Sequence, residues 1–265
     1  MILCAGMQSG GTTLLSWCFL QRRDTDGELD MANDCIRLAF DRASAPIVWC
    51  KMTVGAFRWL DVAEVYSDLG WRPEPVLVVR DVRAVLASLM RKPYGHGGKT
   101  GDRPPLRVRL RRFLRDWELF RSHGWPIIKF ERFVSDPRAV LQEACLALGL
   151  TWDEGMLSWP RDLADIAYPS PLANTTFVTS IGNGGLEESI LASDEQIDIS
   201  AVPPAELEWL EETFLAYNEV HQYPLRLPRG PALNYSHRPG PRAVALHERM
   251  LEAERKWEAS RESAR

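Results

Sequence analysis

The first thirteen residues constrain the fold more than any other segment. An apolar run, Met1-Ile2-Leu3-Cys4-Ala5, enters Gly6-Met7-Gln8-Ser9-Gly10-Gly11-Thr12-Thr13, and apolar residues resume at Leu14, Leu15, Trp17, Cys18 and Phe19. A strand, a glycine-rich turn and a helix satisfy that pattern. Glycine lets the backbone turn sharply and aim successive N–H groups inward, while the paired hydroxyls fall in the first helical turn, at the positive end of its dipole. Such a turn either cradles an anionic oxygen cluster, most simply a phosphate, or is a plain strand-to-helix connection. The spacing from Gly6 to Thr13 meets G-x-x-x-x-G-K-[ST], except that Thr12 stands where lysine would reach the outer phosphates of a triphosphate. That exchange argues against ATP or GTP.

A second segment narrows the choice. Pro75-Val76-Leu77-Val78-Val79 is a continuous apolar run, as expected of a buried parallel strand, and it ends at Arg80-Asp81. A helix follows, buried through Val82, Val85, Leu86, Leu89 and Met90, with Arg80, Ala84 and Ser88 aligned on another face. A guanidinium at a strand end and a hydroxyl eight residues later can converge on one anion.

Here the chain resembles the sulfotransferases that use 3′-phosphoadenosine 5′-phosphosulfate (PAPS), in their bacterial, P-loop-like form. In that family a loop ending in G-T-T holds the 5′-phosphosulfate, and an Arg with a Ser eight residues on holds the 3′-phosphate. Gly11-Thr12-Thr13 and Arg80 with Ser88 match both motifs. Residues 126–133, then Ser135-Asp136-Pro137 and a helix ending at Gly149-Leu150, resemble the family's late strand, acidic turn and Pro-started helix. The likeness covers roughly residues 1–150 and implies a three-layer α/β sandwich with a central parallel sheet, similar to P-loop NTPases. It also implies PAPS as donor, 3′-phosphoadenosine 5′-phosphate (PAP) as product, no metal, and a hydroxyl of a small molecule or carbohydrate as acceptor.

Within that resemblance Ser9, Gly10, Gly11, Thr12, Thr13, Arg80 and Ser88 are the cofactor-binding set. Ser9 departs from the family, which carries Lys or Arg there to neutralise the leaving phosphate, so a cation must come from elsewhere. Lys51, expected at the carboxyl end of a strand over 46–51, replaces it or is a solvated strand end. The family's Lys-Thr-His is Lys51-Met52-Thr53 here, and a threonine hydroxyl is no base near neutral pH. Carbohydrate-acting relatives use a carboxylate beyond the first helix. Asp30 is the first candidate base and Glu28 the second, in an Asp-rich segment, 24–30, that otherwise reads as a solvated turn. His96, in the glycine-rich 94–101 stretch, reads as part of a lid. The family's basic Arg-Lys-Gly segment is absent, and residues 174–185 are a replacement loop or a plain connection.

The alternatives to a PAPS-dependent sulfotransferase are a P-loop small-molecule kinase using ATP and a degenerate, non-catalytic nucleotide-binding homologue. Strands near 1–5, 46–51, 75–80 and 125–130 should alternate with helices near 12–22, 55–69, 81–91, 105–123 and 137–148. With 265 residues, 45% hydrophobic and 26% charged, one domain is expected, its core at 1–220. Pro203 to Tyr217 reads as a helix. Residues 221–265 read as a proline-rich arm and a charged terminal helix, able to join two copies. Arg107, Arg111 and Arg115, with Arg109 and Arg112 nearby, form a basic stripe. A net charge of −4 and the absence of interleaved aromatics argue against nucleic acid. Five cysteines without metal spacing read as reduced core thiols of a cytoplasmic protein, and no membrane span is expected. Since the sequence opens on the first strand, the amino-terminal anchor of Golgi relatives is not expected either.

Overall fold

The computed structural model describes residues 1–29, 45–55, 57–90, 105–166, 185–186 and 202–224. In chain order the elements are β1 (Ile2–Gly6), α1 (Thr12–Leu20), β2 (Thr25–Glu28), β3 (Ile47–Thr53), α2 (Trp59–Asp68), β4 (Glu74–Val79), α3 (Val82–Met90) and α4 (Leu106–His123). Then follow β5 (Ile127–Lys129), α5 (Phe130–Ser135), α6 (Pro137–Ala147), α7 (Gly155–Ser158), α8 (Pro204–Thr213) and α9 (Leu215–His221). They fall into two units, one comprising 1–80 and 115–195, the other 81–114 and 196–265.

The first unit holds a parallel sheet in the order β2-β3-β1-β4-β5, flanked by helices. β1 is paired on both edges and every one of its residues is buried, which is why its sequence is an uninterrupted apolar run. Parallel register sets Ile2 and Cys4 beside Trp49, Val76 and Val78 on one face. That face packs with Leu14, Leu15, Cys18 and Phe19 of α1 and with Val140, Leu141, Ala144 and Cys145 of α6. Phe19 stacks on Trp49 with ring centroids 4.0 Å apart. Each such side chain contributes about 1.5–3 kcal/mol when fully buried. Helix α1 is buried almost all round, so its apolar residues show no single stripe.

Four sequence readings are corrected. Residues 25–28 form the edge strand β2 rather than a turn. The side chain of Arg161 donates to the carbonyls of Leu20, Arg22 and Thr25 and to Asp26, pinning the chain alongside β3 against the low strand propensity of Thr-Asp-Gly-Glu. Gly27 is needed there, because a β-carbon would run into the Trp49 carbonyl. Strand β3 continues past Cys50 to Thr53, which pairs with Gly6, so Lys51 is an interior strand residue, 3% exposed, and not a solvated strand end. The late strand expected over 126–133 ends at Lys129 and gives way to the short helix α5, and the helix expected over 203–217 is broken at Phe214.

In the second unit Arg107 makes a two-pronged ion pair with Glu206 (3.1 and 2.9 Å), whose carboxylate is fully buried. The Arg107 and Arg111 guanidiniums lie 4.7 and 5.4 Å from the Trp209 ring centre, and Arg109 is buried. Much of the basic stripe is therefore internal cement between α4 and α8. The four described cysteines are free and buried, and burial pushes the Cys4 and Cys18 thiols up to about 12. Such thiols are inert packing groups. Cys35 lies outside the described residues, and no described helix is long and apolar enough to cross a membrane.

Two measurements follow from this packing. Gly11 and Gly70 share a left-handed backbone, φ 87° and 84°, but a β-carbon on Gly11 would enter the Phe130 ring, whereas one on Gly70 meets nothing within 4 Å. Gly70→Ala should cost about 1 kcal/mol and Gly11→Ala about 3 kcal/mol or more in urea unfolding. Asp116, fully buried, accepts from Trp59 N (2.8 Å) and pairs with Arg58 (2.9 Å), and burial raises its carboxyl to about 6. The folded state then keeps a proton that the unfolded chain loses between about pH 4 and 6. This group's contribution is complete below that window and falls across it by about 3 kcal/mol. Urea titrations of wild type and Asp116→Asn across pH 4–7 should differ by that slope.

Candidate functional site

Ligands of open α/β sheets bind beyond the carboxyl ends of the strands, where neighbouring connections leave in opposite directions. In this sheet β1 leads toward β2 on one side and β4 leads on toward β5 at the other, so the crevice lies between β1 and β4. The segments reaching that rim are the loop after Gly6, Arg80 after β4 and Phe130 after β5.

The loop is shaped by its backbone. Gly10 N donates to the Met7 carbonyl at 2.9 Å, closing a tight turn in which a β-carbon on Gly10 would sit 2.8 Å from that same oxygen. Ser9, at φ 62°, and Gly11, at φ 87°, both take the left-handed conformation, an unfavourable one for serine. Gly11 caps α1 with no side-chain hydrogen bond, and the first turn carries no acid. A helix start without a built-in anion suits an incoming oxyanion, which is how these residues fit a phosphosulfate. Thr12, where a phosphate loop has lysine, is a packing residue: it is 3% exposed, and its methyl lies against Gly6. Thr13, beside it, is half-buried.

Arg80 and Phe130 complete the rim. Arg80 Nη1 donates to the Ser9 carbonyl at 2.8 Å, and its guanidinium lies over the Phe130 ring, 4.4 Å from the centre. Phe130 in turn fills the space against Gly11. Sequence reasoning treated Phe130 only as part of a strand; its position one residue past β5, on the same rim as Arg80, was the available signal.

Other expected residues fall at different places. Lys51 pairs in register with Cys4, two residues below Gly6 or roughly 7 Å along the strand. Glu28 ends the edge strand opposite Cys50, itself level with Leu3, so it lies two strands away and roughly 10 Å lower than Gly6. Ser88 is buried on α3 in the second unit, while Arg80 ends a stretch of the first. Asp30, His96, residues 174–184 and the arm from 225 onward lie outside the described residues. His123 stacks on Trp125 and His221 packs by Tyr217 and Tyr223.

No protein-family model matches the chain, and no curated protein matches its sequence. Solved structures do match. A sulfotransferase domain from the curacin biosynthetic pathway aligns with TM-score 0.57 and 14% identity over 85% of this chain and 98% of its own. The sulfotransferase domain of the Synechococcus PCC 7002 olefin synthase gives 0.54 and 18%, over 86% and 95%. Mouse sulfotransferase SULT7A1, crystallised with PAP, gives 0.50 and 10%, over 93% and 87%. With its parallel sheet and its glycine-rich loop on the β1 rim, this chain has the sulfotransferase fold.

Proposed function

We propose that this protein is a cytoplasmic, PAPS-dependent sulfotransferase that acts on a hydroxyl of a small molecule or carbohydrate. The reading is carried by one observation: in a chain with this fold, the uncapped loop after β1 and a guanidinium from β4 meet at the sheet's crevice. The buried, free thiols support the cytoplasmic setting.

Gly10, Gly11, Thr12 and Thr13 bind the 5′-phosphosulfate through backbone amides and the Thr13 hydroxyl, with Ser9 shaping the turn. Arg80 and Ser88 are assigned to the 3′-phosphate, as the family resemblance implies. Buried Lys51 adds fixed positive charge below the loop. In the transfer the acceptor oxygen bonds to sulfur, the bond from sulfur to the 5′-phosphate oxygen breaks, and PAP leaves with that electron pair. The acceptor's proton passes to Asp30 or, as second choice, Glu28. Positioned charge supplies most of the rate in such displacements, and removing one good contact costs about a hundredfold.

The test is thermal denaturation followed by turnover. Saturating PAP should raise Tm by about 5 °C or more, while ATP with magnesium leaves it unchanged. The opposite pattern would establish the kinase alternative. Labelled sulfate should then pass from PAPS to at least one member of a hydroxyl-acceptor panel; PAP binding with no transfer to any acceptor would make the protein a binding module. Among active preparations, Asp30→Asn should lower kcat about a hundredfold with little change in PAP affinity, and Glu28→Gln should not.

A further inference from the structure

A general base works only within hydrogen-bond reach of the proton it takes, and both carboxylates suited to that task depart from β2, an edge strand with low strand propensity of its own. We infer that Arg161 is the positioning residue of the base: it fixes the strand from which Glu28 and Asp30 leave, and so sets where a carboxylate meets the acceptor. The inference rests on the sulfotransferase reading above and adds to it a residue at the opposite end of the sheet from the cradle.

One side chain defines the clamp. Arg161 Nη1 donates to the carbonyls of Leu20 (2.8 Å), Arg22 (2.7 Å) and Thr25 (2.6 Å), and Nη2 donates to Asp26 Oδ1 (3.1 Å). The last residue of α1, the connection after it and the first two residues of β2 therefore share one guanidinium. The Asp24 carbonyl accepts from Ile47 N of β3. Successive carbonyls along a strand alternate in direction, so that of Thr25 faces the free edge, where Arg161 stands in for a neighbouring strand.

The clamp is itself anchored. Arg161 N donates to Gln21 Oε1 (2.7 Å) and the Arg161 carbonyl accepts from Gln21 Nε2 (3.0 Å), a reciprocal pair with a fully buried side chain. Nη2 also donates to the Asp165 carbonyl at 2.7 Å, so the guanidinium is held from its own segment too. Shifting it breaks hydrogen bonds that are costly to leave unmade. Glu28 follows Asp26 by two residues and Asp30 by four, so freedom gained at the clamp passes to the base. A misplacement of about 1 Å at a reacting group costs about a hundredfold in rate. Arg161 meets the end of α1 and the foot of β2, whereas the nucleotide loop lies at the start of α1 and the top of β1. Its effect therefore falls on chemistry and not on nucleotide affinity.

A double-mutant cycle separates this role from plain stabilisation. In the full chain, kcat with PAPS and an acceptor found in the hydroxyl panel is measured beside PAP affinity for wild type, Arg161→Gln, a base variant and their combination. The base variant is whichever of Asp30→Asn and Glu28→Gln lowers kcat. Arg161→Gln should lower kcat about tenfold or more with PAP affinity held within about twofold, and should cost less than about twofold once the base is gone. Asp26→Ala keeps the three carbonyl contacts; it should give a smaller loss with the same dependence on the base, and it carries the test if Arg161→Gln does not fold. An equal loss in both backgrounds, a fall in PAP affinity in step with kcat, or no loss at all would overturn the assignment and leave the sulfotransferase reading standing. Wild type that moves no sulfate from PAPS would overturn that reading itself. Transfer that neither base variant slows would remove the carboxylate base, and the role of Arg161 with it.

Discussion

Strand β1 is hydrogen-bonded along both edges, to β3 and to β4, and everything that follows depends on that double pairing. A central parallel strand has no solvent-facing edge and no polar face, so each of its side chains must be apolar or very small. Its last residue, Gly6, is paired with Thr53 on one side and Val78 on the other, while the Thr12 methyl closes over it. The chain must leave the sheet at that point within a few residues and begin a helix. A turn that tight exposes successive amides at the helix start, so the anion cradle arises from how β1 is built into the sheet.

The rim around the cradle is organised by contacts from neighbouring strands. Arg80 sits where β4 ends and Phe130 where β5 ends, and both reach the loop because parallel strands bring all their carboxyl ends to one side. Lys51 lies buried below the rim, where its ammonium acts on the Cys4 thiol, and Arg107 is committed to Glu206 in the other unit. Arginine clusters in the sequence are consequently poor guides to a site: Arg107 and Arg111 hold helices together, while the solitary Arg80 stands at the loop.

Strands 1, 3, 4 and 5 and most helices were legible from local pattern, because continuous apolar runs and amphipathic stripes report burial directly. The helix over 137–147 was fully signalled by Asp136, Pro137 and its apolar positions, and Asp136 does accept from Ala139 N. Strand β2 was not legible. Thr-Asp-Gly-Glu has no strand signature, and what holds it is Arg161, about 135 residues further along the chain. Lys51 was misplaced for a related reason: how far β3 extends is decided by where β1 ends, a fact about a different segment.

By itself the sequence determined the turn after the first strand, since Gly10 and Gly11 admit close approaches that a side chain would block, and it determined which residue types could meet an anion. It also placed Arg80 at a strand end. Which partner that arginine would find was a tertiary matter. Strand order sets β4 beside β1, and the Phe130 ring, brought from β5 against Gly11, gives the guanidinium a surface to rest on above the Ser9 carbonyl. Local chemistry prescribes conformations one segment at a time, whereas a contact between segments 50 to 120 residues apart exists only once the sheet has assembled.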